Sequence, residues 1–329
     1  MYYLKLQRFE SSITLYGLFQ KVILSKQMVD ILLATYNGEK YLDTQIASIV
    51  NQSYSNWILY IHDDGSSDGT VNLIKKWCLF DSRIVFVDDG IAFHNPGDNF
   101  IHLLKLSTSE YVCFADQDDY WFDYKLEKMI NVFPKNIEQP YLLCSNCYLW
   151  SITGITKSIS FFKPKCLKEI LFWNGGLQGC AMMFNAELRT RIVNTFHNQI
   201  YMHDLLLTLT AFAFGKVQYI SEELFLYRSH PNSITNSNPS KSKKEYVLNG
   251  MCHKSVPVIM KKAYNDIQTF YENYKEILKE NDKKVICKYL LLLQKKSLQR
   301  FFSILFSDFS LKGSHFNLVI KVLIRPFFM

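Results

Sequence analysis

The 329-residue chain has no uninterrupted apolar run of 18 residues, so no conventional membrane-spanning helix is expected. Its first 28 residues mix apolar groups with charges, and no small-residue cleavage site follows a clean apolar core. That argues against a signal peptide. Glycine (13) and proline (8) are too scarce for a collagen-like or low-complexity chain. No GxGxxG motif follows the first strand-like run, which disfavours a dinucleotide fold. No GxxxxGKS/T motif occurs, which disfavours a P-loop nucleotidase. The eight cysteines include a single CxxC, Cys144 and Cys147, with no second pair at zinc spacing. They read as buried thiols in a reducing compartment.

What the chain does have is a large apolar content, 48%. It is long enough for one large α/β domain with an appendage. Its net charge of +7 is unevenly spread. Residues 241–329 alone carry 17 Lys and Arg against 7 Asp and Glu. The expected organisation is an N-terminal extension (1–28), a catalytic domain (29–240) and a basic helical region (241–329).

VDILLATY (29–36) is a continuous apolar run, as in a strand buried on both faces. Helical spacing follows over 37–52, then a strand over 57–64. A turn and helix follow over 65–80, with Ser67 or Asp68 as the expected cap. A third strand is expected at 83–89, a helix at 99–106 and a fourth strand at 110–119. Further strands are expected over 141–150 and 217–233, with a helix from His203–Asp204 to Gly215. The alternation predicts a parallel sheet covered on both faces, with ligands beyond the C-terminal strand ends. Three polar clusters fall at those ends: TYNG (35–38), DDGSSD (63–68) and DQDD (116–119).

The stretch FADQDDYW (114–121) sets three carboxylates within four positions. In extended backbone Asp116 and Asp118 point the same way. Such a pair repels itself unless a divalent cation lies between, and oxygen ligands suit Mg²⁺ or Mn²⁺. A solvated acidic turn is the other reading. An EF-hand is excluded, because its glycine and twelfth-position glutamate are missing.

Seven segments, in order, resemble family 2 glycosyltransferases of the GT-A fold, in the style of bacterial rhamnosyltransferase-like enzymes. They are residues 31–57, HDDGSSDGT (62–70), NPGDNF (95–100), 114–129, GCAMMFN (179–185), HDLLLTLTAFAFG (203–215) and LYRSHPNS (226–233). The resemblance covers about 29–235. It implies a Rossmann-like, mostly parallel α/β sheet with flanking helices, followed by a C-terminal helical region. It also implies that Thr35, Tyr36, Asn37 and Asp63 or Asp64 hold the nucleoside. Asp118 then binds a metal ion on the donor diphosphate, and Asp116 contacts ribose or metal. Arg228 and His230 belong near the diphosphate, with His230 as a further metal ligand. Gln178, Gly179 and Cys180 face the acceptor, and His203 stands beside the base or caps its helix. Trp121 packs beneath the acidic loop.

Asp204, by itself a helix cap, matches the family's catalytic base. An acceptor hydroxyl is a poor nucleophile until its proton is removed. One carboxylate opposite the leaving diphosphate permits a single inverting displacement. The implied donor is a dTDP- or UDP-sugar, and the implied acceptor a glycan or polyprenyl-linked saccharide in surface polysaccharide synthesis. Gln178 and Asn146 depart from the family pattern and leave acceptor and donor identity open. The alternatives are a nucleotidyltransferase acting on sugar phosphates and an inactive nucleotide-binding homologue.

The basic tail is expected to lie on a membrane surface, to pack on the catalytic domain, or to meet a second subunit in a homodimer. No nucleic-acid motif accompanies its charge. The expected location is the cytoplasm, at the inner face of the plasma membrane.

Overall fold

The computed structural model describes residues 27–156, 162–173, 177–230 and 257–328. The expectations for 1–26, for the glycines at 175 and 176, and for 231–256 lie outside these residues.

The chain opens with β1 (Val29–Thr35), α1 (Glu39–Val50), β2 (Trp57–Asp63), α2 (Thr70–Phe80) and β3 (Ile84–Phe86). It continues through α3 (Pro96–Leu106), β4 (Tyr111–Ala115), β5 (Tyr120–Trp121) and α4 (Lys125–Val132). Then come β6 (Tyr141–Ser151), β7 (Gly154–Thr156), β8 (Met182–Asn185), α5 (Ala186–Thr195), α6 (His203–Phe214) and β9 (Lys216–Arg228). Four helices close the chain: α7 (Lys261–Tyr274), α8 (Glu280–Leu290), α9 (Ser297–Leu305) and α10 (His315–Ile324).

One nine-stranded sheet runs β3-β2-β1-β4-β8-β6-β9-β5, with β7 paired to β6. Strands β1 to β4 are parallel, as the βα alternation predicts. β8 then joins β4 and β6 antiparallel, while β9 returns parallel to β6. The chain therefore reverses direction beside β4, the strand that delivers the acidic cluster.

Strand alternation divides the interior into two cores. Val29, Ile31 and Leu33 of β1 face a core shared with Leu42, Ile46, Ile74 and Met129. Leu32, Val112, Phe114 and Phe184 face the other, with Phe100, Leu188 and Leu206. Asp30 is buried inside β1, yet is fully used. It accepts the Ser107 and Ser109 hydroxyls and the Thr108 and Ser109 amides, fixing the turn into β4.

Several boundaries differ from the sequence reading. The third strand ends at Phe86 and the fourth at Ala115, because the acidic residues after each leave the ladder for side-chain contacts. The helix expected at 99 begins at Pro96, capped by Asn95, whose side-chain Oδ1 accepts the Gly97 amide at 3.1 Å. In α2 neither Ser67 nor Asp68 occupies the cap position. Gly69 does, and Asp68 reaches past it to accept the Thr70 amide at 3.1 Å.

The described part of the tail continues the second core. Ile267, Phe270 and Tyr274 of α7 and Ile286 and Tyr289 of α8 are buried in it, beside Phe172 and Leu207. Of the alternatives for the tail, packing on the catalytic domain holds for α7 and α8.

Candidate active site

The C-terminal ends of β1, β2 and β4 open into a cavity of about 440 Å³. Thr35, Tyr36, Asp64, Asp116, Asp118, Gln178, Gly179, His203, Asp204 and His230 all line it, so ten expected site residues, drawn from distant segments, converge on one cavity.

The nucleoside side is built by backbone clamps. Gln117 accepts the Tyr36 amide at 2.9 Å and donates to the Tyr36 carbonyl at 3.0 Å. Its amide thus pairs with β1's end as another strand would. Gly38 allows this closeness, since a Cβ there would meet Gln117 Oε1 at 2.3 Å. The Asp64 carboxylate is nearly buried and accepts the backbone amides of Phe93, His94 and Asn95. It moulds the loop that walls the cavity.

Three residues expected on the donor do not line this cavity. Asp63 accepts the Thr35 hydroxyl at 2.8 Å and the Ser66 amide at 2.7 Å, tying two loops together. Asn37, at φ 46°, accepts the Ser67 amide at 2.9 Å. Arg228 lies 3.6 Å from the Trp150 ring centroid and 4.6 Å from that of Tyr41, and its Nε donates to the Asp118 carbonyl at 2.6 Å. Through that bond it braces the turn carrying Asp118.

The acidic residues occupy a turn rather than extended backbone, so the alternation argument for Asp116 and Asp118 does not hold. The turn brings both to the cavity regardless. Asp118 Oδ2 stands 2.6 Å from His230 Nε2. Burial, then the charge of Asp118, pushes the Asp116 carboxyl up to about 6. Asp119 faces away, fully buried, and accepts the Arg228 amide at 3.0 Å. Burial raises its pKa well above the usual value.

Beneath this turn lies a residue the sequence reading missed. Lys125 is fully buried, its ammonium 3.7 Å from the Trp121 ring centroid and 2.6 Å from the Cys180 carbonyl. Trp121 does pack beneath the loop, as expected. Burial lowers the Lys125 pKa to about 8, and Asp119 is among the charges that oppose the drop. A lysine at a helix start reads as solvated surface, so only its place after an acidic turn hinted at a counter-ion. Cys180 belongs to this buried layer too. Its thiol and the Asp116 and Asp119 carboxylates lie within 4.8 Å of one another, and it does not line the cavity.

The start of α6 carries Asp204 and is fixed from two sides. Asp266 of α7, nearly buried, accepts the Tyr201 and Met202 amides at 3.0 and 2.9 Å. Asp98 of α3 accepts the Ile200 amide at 2.9 Å. Burial raises the Asp204 pKa to about 7, with added push from Asp116 and Asp266. His203 lies 3.9 Å from the Phe100 ring centroid and edge-on to Phe114. Burial drops its pKa to about 3, so it is neutral. Gly179 leaves room for this ring, because a Cβ there would meet Nε2 at 2.5 Å.

Asp118 Oδ2 and His230 Nε2, 2.6 Å apart, are a carboxylate and an imidazole of the kind that hold a divalent cation, and Asp116 lines the same cavity.

Residues 30–189 match the family model described as Glycosyl transferase family 2. Those residues belong to glycosyltransferase family 2. The chain is 28% identical over 219 residues to the dTDP-rhamnosyl transferase RfbG of Shigella flexneri, covering 63% of this chain and 75% of that one. It is 34% identical over 109 residues to an Escherichia coli enzyme, the UDP-Glc:alpha-D-GlcNAc-diphosphoundecaprenol beta-1,3-glucosyltransferase WfgD. That match covers 33% of this chain and only 42% of the relative. The structure of S. aureus TarS 1-349 in complex with UDP-GlcNAc superposes with a TM-score of 0.55 at 16% identity, over 84% of this chain and 78% of that one. This last likeness is one of fold, and it bears out the GT-A architecture of the family 2 domain.

Proposed function

We propose that the protein transfers a sugar, with inversion, from a nucleotide-diphosphate sugar to a hydroxyl of a glycan or polyprenyl-diphosphate-linked saccharide in surface polysaccharide synthesis. One observation carries the reading. Asp204 of α6 lines the same cavity as Asp116 and Asp118 of the turn after β4, and burial pushes its carboxyl up to about 7. A base and a diphosphate-holding rim in one cleft are what an in-line displacement needs. The rhamnosyl transferase and diphosphoundecaprenol-linked glucosyltransferase relatives support this donor and acceptor chemistry.

Asp204 accepts the acceptor hydroxyl's proton as its oxygen attacks the anomeric carbon, and neutral His203 packs beside it. Asp118, His230 and Asp116 would hold Mn²⁺ or Mg²⁺. When bound, that ion stabilises the charge on the departing nucleoside diphosphate. Arg228 holds the turn that presents Asp118. The test is product analysis with dTDP-rhamnose, UDP-glucose and UDP-N-acetylglucosamine against a polyprenyl-linked acceptor pool. Transfer is expected with Mn²⁺ or Mg²⁺ and absent in chelator. Full turnover in chelator refutes the metal role, and release of inorganic diphosphate from a nucleoside triphosphate refutes the reaction class.

The end of the tail supports a seat on the inner face of the plasma membrane. No helix among the described residues is long and apolar enough to cross a membrane. Phe306 and Phe316 are 82% and 71% exposed, and Leu298, Phe302 and Leu323 are exposed with them. Lys295, Lys296 and Lys312 accompany these apolar groups in the sequence. Aromatic residues with cations suit an anionic lipid surface. The protein is expected to float with phosphatidylglycerol vesicles but not phosphatidylcholine vesicles. Phe306→Glu with Phe316→Glu should abolish flotation without lowering the melting temperature. Unchanged flotation rejects this surface.

A further inference from the structure

A second group of metal-ligating side chains lies outside the carboxylate rim. His62 comes from β2, Asp89 from the segment after β3, and His102 from α3. His62 Nε2 stands 3.2 Å from Asp89 Oδ1, and His102 Nε2 stands 2.7 Å from Asp89 Oδ2. One ligand atom from each residue falls within 4.8 Å of the other two. We infer that His62, Asp89 and His102 form a binding site for a divalent transition-metal ion of the Zn²⁺ class.

The hydrogen bonds around His62 aim it at a cation. Buried Asn99 places its side-chain carbonyl oxygen 2.8 Å from His62 Nδ1 and turns its amide nitrogen toward the His62 carbonyl, 3.5 Å away. Asn99 occupies Nδ1, so Nε2 is the nitrogen presented to the Asp89 carboxylate and to a cation held beside it. An imidazole fixed through its far nitrogen by a buried carbonyl is the usual support of a metal-bound histidine.

Geometry and chemistry agree with the ion's class. Ligands bonded to zinc at about 2.0–2.1 Å in a tetrahedron stand roughly 3.3 Å apart, close to the His62–Asp89 separation. Two imidazoles and one carboxylate suit zinc better than magnesium, and they leave a fourth position for water. The Phe93 ring packs against both imidazoles, its centroid 5.8 Å from that of His62 and 5.2 Å from that of His102. This screens one side from solvent.

The consequence is mechanical. The ion ties β2 and α3 to the segment whose Phe93, His94 and Asn95 amides meet Asp64. His94 and Asn95 line the large cavity, so the ion stiffens its wall. This assignment does not rest on the transferase reading.

The test uses the full chain, stripped with chelator and desalted, at pH 8, where free imidazoles are neutral. Co²⁺ serves as the spectroscopic probe and Zn²⁺ as competitor. A tetrahedral Co²⁺ visible spectrum, bleached by Zn²⁺, is expected for the wild type and for His230→Gln, which removes a ligand from the other site. His102→Gln and Asp89→Asn should lose that spectrum, weaken Zn²⁺ binding by about tenfold or more, and lose the Zn²⁺-induced rise in melting temperature. Both side chains are partly exposed, and circular dichroism verifies the fold of each variant. The assignment is overturned if the wild type binds no Co²⁺ at pH 8, or if His102→Gln and Asp89→Asn keep the spectrum.

Discussion

Asp204→Asn should abolish sugar transfer, leave donor binding intact and make the protein more stable at alkaline pH. An amide keeps the shape of the carboxylate and can still accept the Leu205 amide, now 2.7 Å away. It cannot take a proton from an acceptor hydroxyl. General bases contribute roughly 10²- to 10⁴-fold, and a loss in that range is expected in kcat with the dissociation constant of the nucleotide-sugar unchanged. The stability gain follows from the pKa of about 7, against an ordinary 3.8. The folded state holds this proton more tightly than the unfolded state. Stability therefore falls as pH rises from about 4 to about 7, and the full cost is present above that. Removing the charge should recover about 1–3 kcal/mol at pH 8 and little at pH 4, allowing for partial solvent screening. Melting curves at the two pH values check the sign. Equal shifts at both, or near-normal turnover, would remove the base assignment.

The same pKa fixes the pH dependence of the wild type. A base must be ionised to act, so kcat/KM for the acceptor should climb with pH and level off above about 7. An ordinary surface aspartate would give a plateau from about pH 5.

How much of this was legible beforehand depended on whether a feature is local. The β1 run, the start of α6 at His203 and the gathering of the strand-end clusters are local patterns or follow from βα topology, and they are seen. The turn at 116–119 was misread as strand because its apolar lead-in continues the β4 pattern. Its side chains then find partners 109 and 112 residues away, Arg228 for Asp119 and His230 for Asp118, which no periodicity encodes. Cys180 shows the same limit from the other direction. Its neighbours Gln178 and Gly179 line the cavity, yet the short 3₁₀ turn at Gly179–Ala181 rotates its thiol into the buried layer. The His62–Asp89–His102 group was invisible because three unrelated segments each supply one residue.

Asp118→Asn should separate the diphosphate rim from the base. Its Oδ2 is the oxygen beside His230 Nε2, and its backbone carbonyl is already held by Arg228. The substitution thus removes charge while the turn stays braced. In the wild type, Mn²⁺ with a nucleoside diphosphate should raise the melting temperature together more than either alone. A ligand at 100 times its dissociation constant adds about 2.7 kcal/mol. Asp118→Asn should lose most of that joint increment, along with transfer, because one amide oxygen replaces an anionic ligand. Asp204→Asn, also inactive, should keep the increment in full. The pair of variants therefore distinguishes a carboxylate that holds the leaving group from one that activates the nucleophile. If Asp118→Asn keeps the joint increment, the cation is not bound at this turn. If both variants lose it, Asp204 belongs to the donor rim and the division of roles between the two fails.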